Sequence, residues 1–184
     1  MKTIPKYILT SVLGWKITGK FPDVKKSIII FAPHTSYFDA LYGKIALKEF
    51  GVKHTFLSKK ELFFFPMNFI MKLYGSISIH SVEGNNVIYQ VVKMLADSNS
   101  LHIILSPEGT RAKVVKWNKG FYYMAWKAKV PIVVAYIDYK KQEIGIKGVI
   151  DNPCDITTVM HQINTMYKDV TGKHPEKFSL DLTS

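Results

Sequence analysis

Short apolar runs alternate with stretches of helical periodicity along this chain. Residues 27–32 (SIIIFA) form a β-branched run bounded by turn residues, the pattern of a strand buried on both faces. Residues 55–58, 76–80, 101–106 and 131–138 repeat it. Between these runs, apolar positions recur at helical spacing. From about Asn86, the residues Val87, Val91 and Leu95 share one face, and further on Ile156, Val159, Met160, Ile163 and Tyr167 do the same. Ser36 suits the N-cap of a helix running to Phe50 and stopped by Gly51. The alternation predicts an α/β fold, a single domain whose largely parallel sheet is flanked by helices. Functional loops then lie beyond the carboxyl ends of the strands.

Two end segments stand apart. Residues 1–20 are expected to form an N-terminal amphipathic helical segment, with Ile4, Ile8, Val12 and Trp15 at helical spacing and Lys2, Lys6 and Lys16 nearby. Such a helix suits either an interfacial membrane anchor or packing on its own domain. The main domain is expected over residues 21–171, and residues 172–184 have the composition of a loose tail.

Composition adds limits. A chain of 184 residues, 47% hydrophobic, fits one domain with a sizeable core, which argues against disorder. No apolar run approaches the roughly 20 residues of a membrane-spanning helix, so attachment to a membrane is expected to be peripheral. The single cysteine, Cys154, has no partner for an intramolecular disulfide, which suits a reducing compartment such as the cytoplasmic face of a membrane. The net charge of +11 favours anionic partners, either an acidic lipid surface or nucleic acid.

Candidate chemistry appears at two strand ends. Directly after the run at 27–32 come His34 and, five residues on, Asp39. In one continuous helix these would lie about 140° apart, so they meet only if His34 sits in the turn. A carboxylate placed there would hold the imidazole in one tautomer and stabilise the charge it gains as a general base. Metal binding is not expected, because no second histidine or thiolate pair is suitably spaced. The run at 101–106 leads into Pro107-Glu108-Gly109-Thr110-Arg111, which places polar groups at the same predicted sheet edge. Of 25 basic residues all but Arg111 are lysine, which marks a position where the planar fork of arginine is suited to a phosphate or carboxylate.

Taken together, His34-x4-Asp39 followed by Pro107 to Arg111 resembles the lysophosphatidic acid acyltransferase family of glycerolipid acyltransferases. Further similar blocks are Lys59-Lys60-Glu61-Leu62 with Pro66 and Gly75, then Trp117-Asn118-Lys119-Gly120-Phe121, then Val130-Pro131-Ile132-Val133. The resemblance implies that His34, oriented by Asp39, removes the proton of an acceptor hydroxyl as it attacks an acyl thioester. It implies substrate-binding roles for Glu108, Gly109, Thr110, Arg111, Lys59 and Pro131. The partners it implies are a lysolipid acceptor, an acyl-CoA or acyl carrier protein donor and an anionic membrane surface, with neither a metal nor another cofactor. Phe63, Phe64, Phe65 and Met67 are expected to contact the acyl chain or the membrane, since this segment leaves no polar face. The chain departs from the family pattern with Pro33 before the histidine, Ser81 where an arginine is common, and Val134 in place of a second proline. The Ser81 departure leaves a lyso-amino-acid lipid open as the acceptor.

A reading of another class is a basic binding module for nucleic acid or anionic membrane without catalysis. It draws on Trp117, Tyr122, Tyr123 and Trp126 lying among lysines. No nucleic-acid fold motif accompanies them, and nucleic acid is not the expected partner.

Overall fold

The computed structural model describes residues 4–59, 69, 75–79, 84–153 and 155–183. In chain order the elements are α1 (Ile4–Tyr7), which widens into a π-helical turn over Ile8–Val12, then β1 (Lys16–Thr18), β2 (Lys26–Ala32), α2 (Tyr37–Glu49), β3 (His54–Lys59) and β4 (Ser76–Ile79). They continue with α3 (Gly84–Asp97), β5 (Leu101–Leu105), α4 (Gly120–Ala128), β6 (Ile132–Asp138), β7 (Glu143–Ile150), α5 (Ile156–Tyr167) and a 3₁₀ turn at Pro175–Lys177. Among the described residues the strands form one sheet in the order β1-β7-β6-β2-β5-β3-β4. The pairs from β6 through β2, β5 and β3 to β4 are all parallel, and β7 runs antiparallel to β6. This is the expected α/β domain with a mostly parallel sheet.

Strand alternation explains the two-sided core. Ile28, Ile30, Ala32, Ile132 and Val134 face a layer that includes Val91 and Leu95 of α3, Phe121 of α4, and Val159, Ile163 and Tyr167 of α5. Ile29, Phe31, Val133, Ala135 and Ile137 face the other side, with Leu9, Trp15, Ala46 and Leu47. A strand buried on both faces has no polar phase, which is why these runs are continuously apolar. Gly43 lets α2 approach the sheet, since a Cβ there would lie 3.2 Å from the Phe31 ring.

Three expectations about the ends and edges are corrected. Residues 16–18 belong to the sheet as β1, and Trp15 is a core residue beyond the helical turn rather than part of an amphipathic face. Within the first helical segment Leu9 is buried, while Ile8 and Val12 are exposed. The segment from Gly172 is no loose tail: Phe178 and Leu180 pack on the core, Asp181 is buried, and the Ser179 carbonyl accepts from the Trp117 indole at 3.0 Å. The run of aromatic residues among lysines is also broken by folding. Trp117 and Tyr122 are in the core and only Tyr123 and Trp126 are exposed, so no four-ring stacking surface exists.

Candidate active site

The parallel order places the carboxyl ends of β2 and β5 side by side. The chain leaves β2 through a short turn carrying His34 and enters α2 at the Ser36 cap, with Asp39 as its third residue. The spacing of five therefore works as required, with His34 in the turn and Asp39 on the first turn of helix. Asp39 is fully buried, and its Oδ2 accepts from the amides of Thr35 (2.8 Å) and Ser36 (2.7 Å). The second of these bonds is one half of a capping box. The same oxygen lies 3.5 Å from His34 Nδ1. One carboxylate thus ends the helix and faces the imidazole, and with Nδ1 turned to Asp39 the Nε2 nitrogen is left for a substrate proton.

From β5 comes Glu108, buried, with Oε1 accepting from the His34 amide at 2.8 Å. This bond ties the two strand ends together and fixes the backbone of the histidine turn independently of the imidazole. Burial pushes the Glu108 carboxyl up to about 7, opposed by the bond from the His34 amide and reinforced by the negative charge of Asp39. Gly109 and Thr110 are exposed, Gly109 with φ +66°, where a side chain is disfavoured. Arg111 extends over the ring of Tyr37, with Cζ 3.5 Å from its centroid, and among the described residues it forms no ion pair.

The other predicted site residues separate. Lys59 ends β3 at the same edge of the sheet, though its side chain is outside the described residues. Phe63, Phe64, Phe65, Met67 and Ser81 also lie outside the described residues. Pro131 is not brought to the site. It precedes β6, and its carbonyl accepts from the amide of Ile28 at the amino-terminal edge of the sheet. In a parallel sheet that edge is opposite the histidine turn, roughly 20 Å away along strands of this length.

One residue of the site was missed. Tyr139, directly after β6, donates to Asp39 Oδ1 at 2.7 Å and packs edge-on against Trp15. Its hydroxyl is held protonated by burial and by the bond to Asp39, which raise its ionisation far above the ordinary value. The signal available in the sequence was position alone, since Tyr139 follows a strand whose carboxyl end borders that of β2.

The family model for the acyltransferases, described as Acyltransferase, matches residues 14–138, which include His34, Asp39, Glu108 and Arg111 and stop one residue short of Tyr139. The chain belongs to the acyltransferase family. Among solved structures, that of the 1-acyl-sn-glycerophosphate (LPA) acyltransferase PlsC from Thermotoga maritima matches with a TM-score of 0.61 at 20% identity, over 90% of this chain and 73% of that one. At that identity the likeness shows a common fold. A comparison with curated proteins gives no match.

In this acyltransferase, Glu108 makes folding depend on pH with a definite sign. Its folded-state value of about 7 lies above the ordinary 4.5, so between these limits the folded protein holds a proton that the unfolded chain has lost. The contribution of this group to stability is full at the lower limit and declines as pH rises to about 7. Glu108→Gln keeps an oxygen for the His34 amide and removes the titration. We expect the stability of the variant relative to the parent to grow across this interval and to level off above it. Denaturant unfolding at a series of pH values checks this, and a constant difference would show that Glu108 titrates normally.

Proposed function

We propose that this acyltransferase moves a fatty acyl group from an acyl-CoA or acyl carrier protein thioester to the hydroxyl of a lysolipid, 1-acylglycerol-3-phosphate or a related lysolipid, in membrane lipid synthesis. The observation that carries this reading is the partly exposed His34 facing the buried, amide-bound Asp39 at a strand end. That pair suits proton removal from a hydroxyl without a protein nucleophile. As the acceptor oxygen attacks the thioester carbonyl, its proton passes to His34 Nε2 and Asp39 stabilises the imidazolium. Collapse of the tetrahedral intermediate expels the thiolate, which takes up the proton, and leaves the ester. Glu108 holds the backbone of the turn, and Arg111 supplies a planar cation for an anionic head group. No further cofactor takes part in this scheme.

The Thermotoga maritima protein is named as a 1-acyl-sn-glycerophosphate acyltransferase, which favours a phosphate-bearing acceptor. Among the described residues no helix is long and apolar enough to cross a membrane. Peripheral attachment on the cytoplasmic face is supported by the exposed Tyr7, Ile8, Val12 and Leu13 of the first helical segment and by the net positive charge. The test is incubation of purified protein with a labelled acyl thioester and a panel of lysolipids, both phosphate-bearing and amino-acid-based. Labelled diacyl product from a phosphate-bearing acceptor is expected. Absence of transfer to every lysolipid would overturn the reading.

A further inference from the structure

The segment after α5 is seated on the histidine turn. Gly172 packs so closely there that a Cβ would lie 2.9 Å from Thr35 Oγ1 and 3.1 Å from Pro33 Cβ. Two residues later the His174 amide donates to the same Thr35 hydroxyl at 3.2 Å. Lys173 lies between these two anchors, so its backbone is held beside the histidine turn. Its Nζ is 4.3 Å from the centroid of the Phe38 ring, and Phe38 adjoins Tyr37, the ring beneath Arg111. Two cations therefore rest on the two consecutive aromatic residues that open α2. Like Arg111, Lys173 forms no ion pair among the described residues.

Side-chain charge matters for an anion arriving at this edge. Of the amides around the helix start, those of Thr35 and Ser36 are used by Asp39 and that of Phe38 by Ser36 Oγ. The cap thus takes up much of the helix end. Asp39 adds a nearby carboxylate that would repel an anionic head group unless cations offset it. Arg111 is one such cation, and the chain carries a second to the same helix start from its far end.

We infer that Lys173 is a specificity-determining residue of this acyltransferase, which binds the anionic head group of the acceptor, phosphate or carboxylate, together with Arg111. The inference rests on the acyl-transfer reading and extends it to a residue outside the matched region 14–138. Lys173 would act as a point charge, whereas Arg111 would set orientation through its fork.

The test compares the full chain with Lys173→Gln and Lys173→Arg. The acceptors are a short-chain, water-soluble 1-acylglycerol-3-phosphate, a short-chain lyso-amino-acid lipid and a neutral monoacylglycerol of the same chain length. Loss of one charge-assisted contact is expected to raise KM for the better anionic acceptor about tenfold. kcat should fall by less, the effect on the neutral acceptor should be smaller, and the arginine variant should recover most of the loss. An unchanged KM for the anionic acceptors overturns the assignment. So does a loss seen only with vesicles of anionic lipid, which would make Lys173 a membrane-adsorption residue. Calorimetric binding of the short-chain anionic lysolipids needs no turnover, so it decides the role of Lys173 even if the parent transfers nothing. Equal affinity of parent and Lys173→Gln there would again overturn it.

Discussion

His34→Ala is expected to lower acyl transfer by roughly 10²–10⁴-fold, the usual worth of a positioned general base, with the fold retained. Two features of the site separate these outcomes. The imidazole is partly exposed and supports no packing layer, so its removal opens no sealed cavity. The bond that organises the turn runs from the His34 backbone amide to Glu108, which alanine preserves. Asp39 also keeps its two amide donors and the Tyr139 hydroxyl. Initial rates at saturating thioester, read beside a thermal melt, check both halves. A variant with near-normal turnover and a normal melt would remove the general-base mechanism. A variant that does not fold would instead show that the side chain has a structural duty the contacts do not reveal.

What the sequence disclosed follows the range of the interactions involved. β2 and β6 were legible because each is apolar on both faces, and His34 with Asp39 was legible because the pairing is confined to one turn and one helix start. Contacts between distant segments were not. The bond from His34 to Glu108 depends on β2 lying next to β5, and that from Tyr139 to Asp39 on the far end of β6 reaching the first turn of α2. Local periodicity carries neither neighbourhood. β1 and β7 escaped for another reason. β1 is three residues long, and Gly145 and Gly148 interrupt the apolar alternation of β7. Gly145 is needed there because a Cβ would fall 1.9 Å from the Thr18 carbonyl oxygen. The segment after α5 lacks periodicity because single residues dock it, a glycine on Thr35 and a buried aspartate near the end. Pro131 shows the limit of motif similarity: the block marks the strand β6, but nothing in it says which end of that strand meets the substrate.

Asp39→Asn tests the other half of the pair, and the hydrogen bonds fix in advance how the amide must sit. Asp39 Oδ2 receives two backbone N–H donors, so an asparagine has to place its oxygen there, because an NH₂ group would face donors. Its nitrogen then takes the place of Oδ1 opposite Tyr139, whose hydroxyl can turn from donor to acceptor. His34 Nδ1 still faces an oxygen. The imidazole keeps its tautomer and the helix keeps its cap, while the negative charge that would stabilise the imidazolium is gone. Loss of the charge that faces the imidazole from 3.5 Å is expected to lower kcat roughly ten- to a hundredfold. The effect on KM should be small, because the charge matters most when the imidazolium forms. Steady-state kinetics with the acceptor and the thioester varied in turn, together with a thermal melt, distinguish the possibilities. A normal melt with a reduced kcat supports an electrostatic role for Asp39. Equal kcat in the two proteins would mean that Asp39 serves only as the cap of α2, and His34 would then have to act without a charged partner.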